Sequence, residues 1–189
     1  LLAYDSININ NVPYRTDTLV VVDKSGKVEK QFYVKDHLPE IFGEKNESIL
    51  NSDFQKWHIE DDDTIPAKDE ITHFNSFYEI PENLTARLIP AFTKGNYISN
   101  ELISKKIYIL SSDLKKILLT IHLQEILGDG GNSHDVQVLE NGKILVYSNR
   151  PLNPDRFSTI DLYDPISGKL ETLFKDSPPQ RFFSKSKGG

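Results

Sequence analysis

An apolar-alternating run, a turn rich in Asp, Ser, Gly or Lys, and a second alternating run recur along the chain, and this repeat limits its fold more than any other feature. The pattern spans Thr18 to Lys30, Lys106 to Leu119 and Ser158 to Glu171, and each copy reads as a β-hairpin. Ahead of the later copies lies another hairpin-like segment, clearest from Val136 to Tyr147, where Asn141-Gly142 supplies the positive φ of a tight primed turn. The unit is therefore four strands. Matching the units sets Tyr97-Ile98-Ser99-Asn100 against Val146-Tyr147-Ser148-Asn149, with Leu2-Ala3-Tyr4-Asp5 at the same point of an earlier unit.

A four-stranded unit of this length buries its faces only against neighbouring copies, which is the logic of β-propeller blades. The sequence thus predicts an all-β fold, a β-propeller of four-stranded antiparallel blades with about three blades visible, as a piece of a six-bladed propeller. The expected boundaries are blade 1 at 1–33, an insertion at 35–70, blade 2 at 73–123, blade 3 at 134–175 and the start of blade 4 at 180–189. The insertion carries Pro39, Trp57, Pro66 and the acidic run Glu60-Asp61-Asp62-Asp63, with a short helix expected around Asp53 to His58.

The formal net charge of -6 and that acidic run disfavour nucleic acid as a partner. No run approaches the length of apolar residues that a spanning helix needs, so no membrane contact is expected of this segment. Cysteine is absent, which excludes disulfides, thiolate metal sites and cysteine nucleophiles. Methionine is absent too, so Leu1 reads as the start of a processed chain or a fragment.

In a propeller the first strand of each blade lines the central channel, and residues opening these strands converge on one mouth. His73, in Thr72-His73-Phe74-Asn75-Ser76, and His134, in Ser133-His134-Asp135-Val136, are read as holding that position in consecutive units. A neutral imidazole is a nucleophile near neutral pH, and Arg, Asn or further His donors can hold the oxygens of a transferred anion. His37, His58 and His122 fall elsewhere in the unit and are assigned no chemistry.

His73-Phe74-Asn75-Ser76 resembles the His-x-Asn-Ser motif of bacterial arylsulfotransferases. Ser133 to Leu139, with Asn141-Gly142 and Asn149, resembles their His-Asp-x-x-x-Leu-x-x-Gly inner strand, and Phe182-Phe183-Ser184-Lys185 to Gly188-Gly189 resembles the entry to a following one. The likeness runs from about Asp69 to Gly189. It implies transfer of a sulfuryl group from an aryl sulfate to a phenolic acceptor through a channel histidine, without cofactor or metal, in the periplasm or at the cell surface. Carried over, His134 and His73 are the catalytic candidates, and Asn75 and Arg150 the substrate-binding ones. Arg150 has a competing reading as a solvated loop edge, because Glu101 occupies the matched position, and Asn100 and Asn149 read as turn formers.

Two other functions fit the same strands. One is a non-catalytic propeller serving as a binding or interaction module. The other is a metal-assisted propeller hydrolase, for which Asn75, Asn149 and Asp135 are the available oxygen donors. A quinone-cofactor propeller is disfavoured, since Trp57 is the only tryptophan.

Overall fold

The computed structural model describes residues 1–9, 12–43, 70–127, 132–150 and 157–175. The chain is all-β, as expected; among the described residues the strands form three antiparallel sheets, and the chain divides into two compact units, Leu1–His73 and Phe74–Gly189.

The first unit holds β1 (Leu2–Ile9), β2 (Val12–Val22) and β3 (Val28–Tyr33), hydrogen-bonded in chain order. Tyr33 leads into a 3₁₀ turn, Val34–His37, and a short helix α1 (Leu38–Phe42), which buries Leu38 and Ile41. Residues 70–72 then rejoin the sheet. Glu70 bridges Arg15 in parallel, and the Ile71 amide donates to the Arg15 carbonyl at 3.0 Å. They fit there because β3 pairs with β2 only from Thr18 to Val22, leaving the first half of β2 with an open flank. The expected helix around Asp53 to His58 lies outside the described residues, as does the expected fourth-blade start at 180–189.

The second unit holds two four-stranded meanders. One comprises β4 (Phe74–Glu79), β5 (Tyr97–Glu101), β6 (Lys106–Leu110) and β7 (Ile117–His122). A helix, α2 (Leu123–Leu127), follows, and then β8 (Asn132–Val138), β9 (Ile144–Arg150), β10 (Phe157–Asp164) and β11 (Lys169–Lys175) form the other. The alternating apolar residues do what the pattern implies: Ile98, Ile107, Ile109, Val136, Val138, Ile144 and Val146 join Ile80, Phe92 and Leu123 in one buried cluster drawn from both sheets. Among the described residues no helix is long and apolar enough to cross a membrane.

All four hairpins read from the sequence are present, but the Asn141-Gly142 turn differs in type. Only Gly142 has a positive φ, at 80°, whereas a two-residue primed turn of the Asn-Gly type needs it at both central positions. The Gly142 amide donates to the Leu139 carbonyl at 2.8 Å, and the Leu139 amide to the Lys143 carbonyl at 2.9 Å. This is a three-residue loop, a turn closed by one left-handed glycine, and Asn141 contributes its side-chain oxygen to the Lys143 amide at 3.0 Å. The Asp23–Lys27 loop repeats the arrangement with Gly26 in the left-handed place.

Candidate functional site

Strand pairing fixes which residues of the two meanders are equivalent. In the first, Phe74 faces Glu101 and Ser76 faces Asn100, so Asn75 is an extra residue in β4. In the second, Ser133 faces Ser148 and Asp135 faces Tyr147, so His134 is an extra residue in β8. Both are β-bulges, which re-aim a side chain away from the regular alternation and recur beside binding sites. The far side of each sheet gives the same match: Asn100 faces Ile107, four residues before the turn at Ser111, and Tyr147 faces Ile160, four before the turn at Asp164.

This register corrects the alignment read from sequence by two residues. Asn100 is the counterpart of Tyr147, not Asn149, and Glu101 that of Ser148, not Arg150. His134 corresponds to Asn75, while His73 lies two positions ahead of that place. The sequence match failed because Tyr-Ile-Ser-Asn and Val-Tyr-Ser-Asn share letters, whereas the bulge and the turn fix the geometry.

Glu101 is also not a solvated edge: it is fully buried, and its carboxylate accepts from the Ile103 amide at 3.1 Å and from the Ser104 amide. It holds the turn between β5 and β6. Beside it in register, burial draws the Lys106 ammonium below the usual lysine range, an effect the Glu101 carboxylate partly offsets. Asn100 is no turn former either. It is fully buried mid-strand, where Oδ1 accepts from Ser76 Oγ at 2.5 Å and Nδ2 donates to the Ser133 carbonyl at 2.8 Å and to Ser133 Oγ at 2.9 Å. Ser76 Oγ in turn accepts from the Val136 amide at 3.2 Å. Polar groups removed from water must find partners, and here they find them across the two sheets, joining β4 and β5 to β8.

Asn75 is half-buried and donates from Nδ2 to the Ser133 carbonyl at 3.3 Å, so the structure sets it beside the residue preceding His134. The half-buried His134 ring lies 6.4 Å from that of Tyr147, tilted by 55°. Next along β8, Asp135 accepts from Gln137 Nε2 at 3.1 Å. Burial, with the Asp135 carboxylate as a further cause, raises the Tyr78 phenol above the ordinary tyrosine value. Arg150 ends β9, and its side chain lies outside the described residues, as does that of Asn149.

His73 ends the first unit. Its Nδ1 is 3.1 Å from Glu70 Oε2, and the other oxygen of that carboxylate is 3.8 Å from Arg15 Nη2. Glu70 is 3% exposed, so the carboxylate is held in place by its neighbours instead of water. The segment carrying it is tied down beyond the bridge to Arg15: Thr72 Oγ1 donates to Asp17 Oδ2 at 2.8 Å and accepts from the Asp17 amide at 3.0 Å. Neither Glu70 nor Arg15 was singled out in the sequence. Glu70 does stand three residues before a candidate histidine, but Arg15 lies in another hairpin with no local signal.

His37 is stacked on Phe32 with ring centres 4.3 Å apart, and His122 ends β7 exposed. Among the described residues no three His, Cys, Asp or Glu side chains converge as a metal site would need. No family model, curated protein or solved structure matches the chain.

Proposed function

We propose that the two four-stranded meanders are consecutive blades of a β-propeller, and that the protein is an arylsulfotransferase-like enzyme of the periplasm or cell surface. The observation that carries this reading is the repeated bulge: two successive blades each re-aim a polar residue, Asn75 and then His134, from the start of the first strand. In a propeller such a repeat would bring polar side chains to the mouth where the first strands converge, which supports a site for a small anionic substrate.

In the proposed reaction an imidazole nitrogen attacks the sulfur of an aryl sulfate. An N–S bond forms as the S–O bond to the aryl group breaks, and its electron pair leaves on the phenolate. The acceptor phenol then attacks sulfur, the N–S bond returns its pair to the imidazole, and the acceptor's proton ends on the released phenol. His134 and His73 are the candidate nucleophiles, with Asn75 and Arg150 as donors to the sulfuryl oxygens.

One observation favours the second reading, a non-catalytic binding module. The Nδ2 of Asn75 donates to the Ser133 carbonyl, a bond that serves the joint between the sheets. The deciding experiment is nitrophenol release from nitrophenyl sulfate by the full chain, with a phenol acceptor and a chelator present, for the wild type, His73→Ala and His134→Ala. Acceptor-dependent release that survives the chelator and drops at least a hundredfold in one variant is the expected result, on the scale of losing a nucleophile. No release from folded wild-type protein would leave the binding module standing, and release abolished by the chelator would favour the metal-assisted hydrolase.

A further inference from the structure

We propose that the open flank of β1 pairs with β1 of a second copy of the chain, antiparallel about a twofold axis, so that two three-stranded sheets become one sheet of six. The pairing does not depend on sulfuryl transfer. The Leu1 amine donates to the Val20 carbonyl at 2.8 Å and the Val20 amide to the Leu1 carbonyl at 2.9 Å, which makes Leu1 and Val20 a hydrogen-bonded pair. Such pairs alternate along an antiparallel ladder, so Ala3, Asp5 and Ile7 bond to β2 while Leu2, Tyr4, Ser6 and Asn8 turn their backbone N–H and C=O groups outward. Among the described residues no strand lies on that side, and the Ser6 amide donates to the neighbouring Asp5 Oδ1 at 2.7 Å, a local bond that a pairing strand would replace.

Edge strands invite pairing, and proteins blunt them with bulges, charges or proline. The other five sheet edges, β3, β4, β7, β8 and β11, each meet their neighbour through a register shift. β3 also carries Glu29 and Lys30, and β11 carries Lys169, Glu171 and Lys175. β1 has none of these devices. It faces β2 over eight residue pairs without a shift, has no proline or basic residue, and leaves Leu2 40% and Tyr4 64% exposed. β5 and β9 hold the place of β1 in the other two sheets, and each has a strand on the corresponding flank.

A second copy fits because β1 is compatible with itself. Its one charge, Asp5, is already paired with Lys35 Nζ at 2.7 Å. A twofold at Tyr4 sets Asp5 against Ala3 of the second copy, and one at Ser6 sets it against Ile7; only a twofold at Asp5 itself would oppose like charges. Six strands is an ordinary sheet size, and a twofold contact closes on itself. A single strand pair is a small interface, so a weak dimer with a dissociation constant roughly between micromolar and millimolar is expected.

The test is sedimentation equilibrium of the full chain from micromolar to millimolar concentration, with amide exchange of β1 followed over the same range. The mass is expected to rise from monomer to dimer and stop there, and the Tyr4 and Asn8 amides to slow as it does. Ser6→Pro removes an outward N–H without touching the bonds to β2, and is expected to weaken association at least tenfold while the monomer's unfolding midpoint changes little. A monomer at every concentration would overturn the proposal. If that monomer already had slow Tyr4 and Asn8 amides, the flank would be filled by a segment of the same chain. A dimer whose Tyr4 and Asn8 amides exchange as fast as the monomer's would put the contact elsewhere, and growth past the dimer would exclude the twofold; either overturns the pairing. Should Ser6→Pro fail to fold, the wild-type exchange decides alone.

Discussion

Every polar atom of the buried Asn100 side chain has an assigned partner, and all of those partners lie on other strands of the second unit. Removing the amide leaves the Ser76 hydroxyl without its acceptor and the Ser133 hydroxyl without its donor, while the Ser133 carbonyl keeps the longer bond from Asn75. At about 1–3 kcal/mol for each of the two buried hydroxyls left unmet, Asn100→Ala is expected to cost roughly 2–6 kcal/mol. Asn100→Asp has nearly the same volume but turns a charged acceptor on the Ser133 carbonyl, so it is expected to cost more than the alanine variant. Urea unfolding of both variants checks the order, and an aspartate variant as stable as the wild type would mean that the bonds to Ser133 contribute nothing. Gly142 makes a separate case. A Cβ there would sit 2.1 Å from Thr85 Oγ1 and 2.7 Å from the Thr85 backbone nitrogen, whereas one at Gly26, with nearly the same φ, would meet nothing within 4 Å. Gly26→Ala therefore isolates the left-handed penalty of about 1–2 kcal/mol, and Gly142→Ala adds an overpacking cost of about 1–3 kcal/mol. Equal midpoint shifts for the two would show that the Thr85 contact yields freely.

At the scale of elements, the hairpins were legible because their signals are local. Alternation marks the strands, and an Asp, Ser or Gly with a known conformational preference marks each turn. Asp23 Oδ1 accepts from the Ser25 and Lys27 amides, at 2.7 and 2.9 Å, and Asp164 Oδ1 accepts from the Ile166 amide at 2.9 Å. The bulges were illegible because a single extra residue changes which partner is faced while leaving composition unchanged; only pairing reveals that Asn75 matches His134. The buried Glu101 was missed for a related reason, since a glutamate at a strand end reads as solvent-facing until the turn amides it caps are seen. The turn carboxylates give a pH test. The side-chain bond from Ser167, followed by the Ile166 amide, holds the Asp164 carboxyl below the ordinary aspartate value of 3.8. A depressed carboxyl contributes its stability above the unfolded value and loses it as pH falls through the folded one. Asp164→Ala is thus expected to lower the unfolding midpoint at pH 6, with the difference from wild type shrinking as pH drops below about 3.8. A difference that stays constant from pH 6 to pH 2 would place the residue's effect in backbone geometry alone.

For the molecule as a whole, the question is how far a disturbance spreads inside the second unit. Two four-stranded sheets could each be a folding unit, but the core argues otherwise: Ile98, Ile107 and Ile109 from one and Val136, Ile144 and Val146 from the other belong to a single buried cluster. The Asn100 and Ser76 bonds add a polar joint between the same sheets. A meander taken alone would expose the apolar side chains it contributes to that cluster, which is the physical reason stacked sheets of this kind depend on their neighbours. Ile109→Ala, a fully buried truncation on β6, is expected to cost about 2–5 kcal/mol. If the unit opens as one, native-state hydrogen exchange will show the slowest amides of β9 losing as much protection as those of β6, although the mutated residue belongs to the other sheet. Loss confined to β5, β6 and β7, with β9 unchanged, would mean that each sheet opens by itself. The shared cluster would then be a contact between independently stable sheets, and the dependence of one on the other would have to be given up.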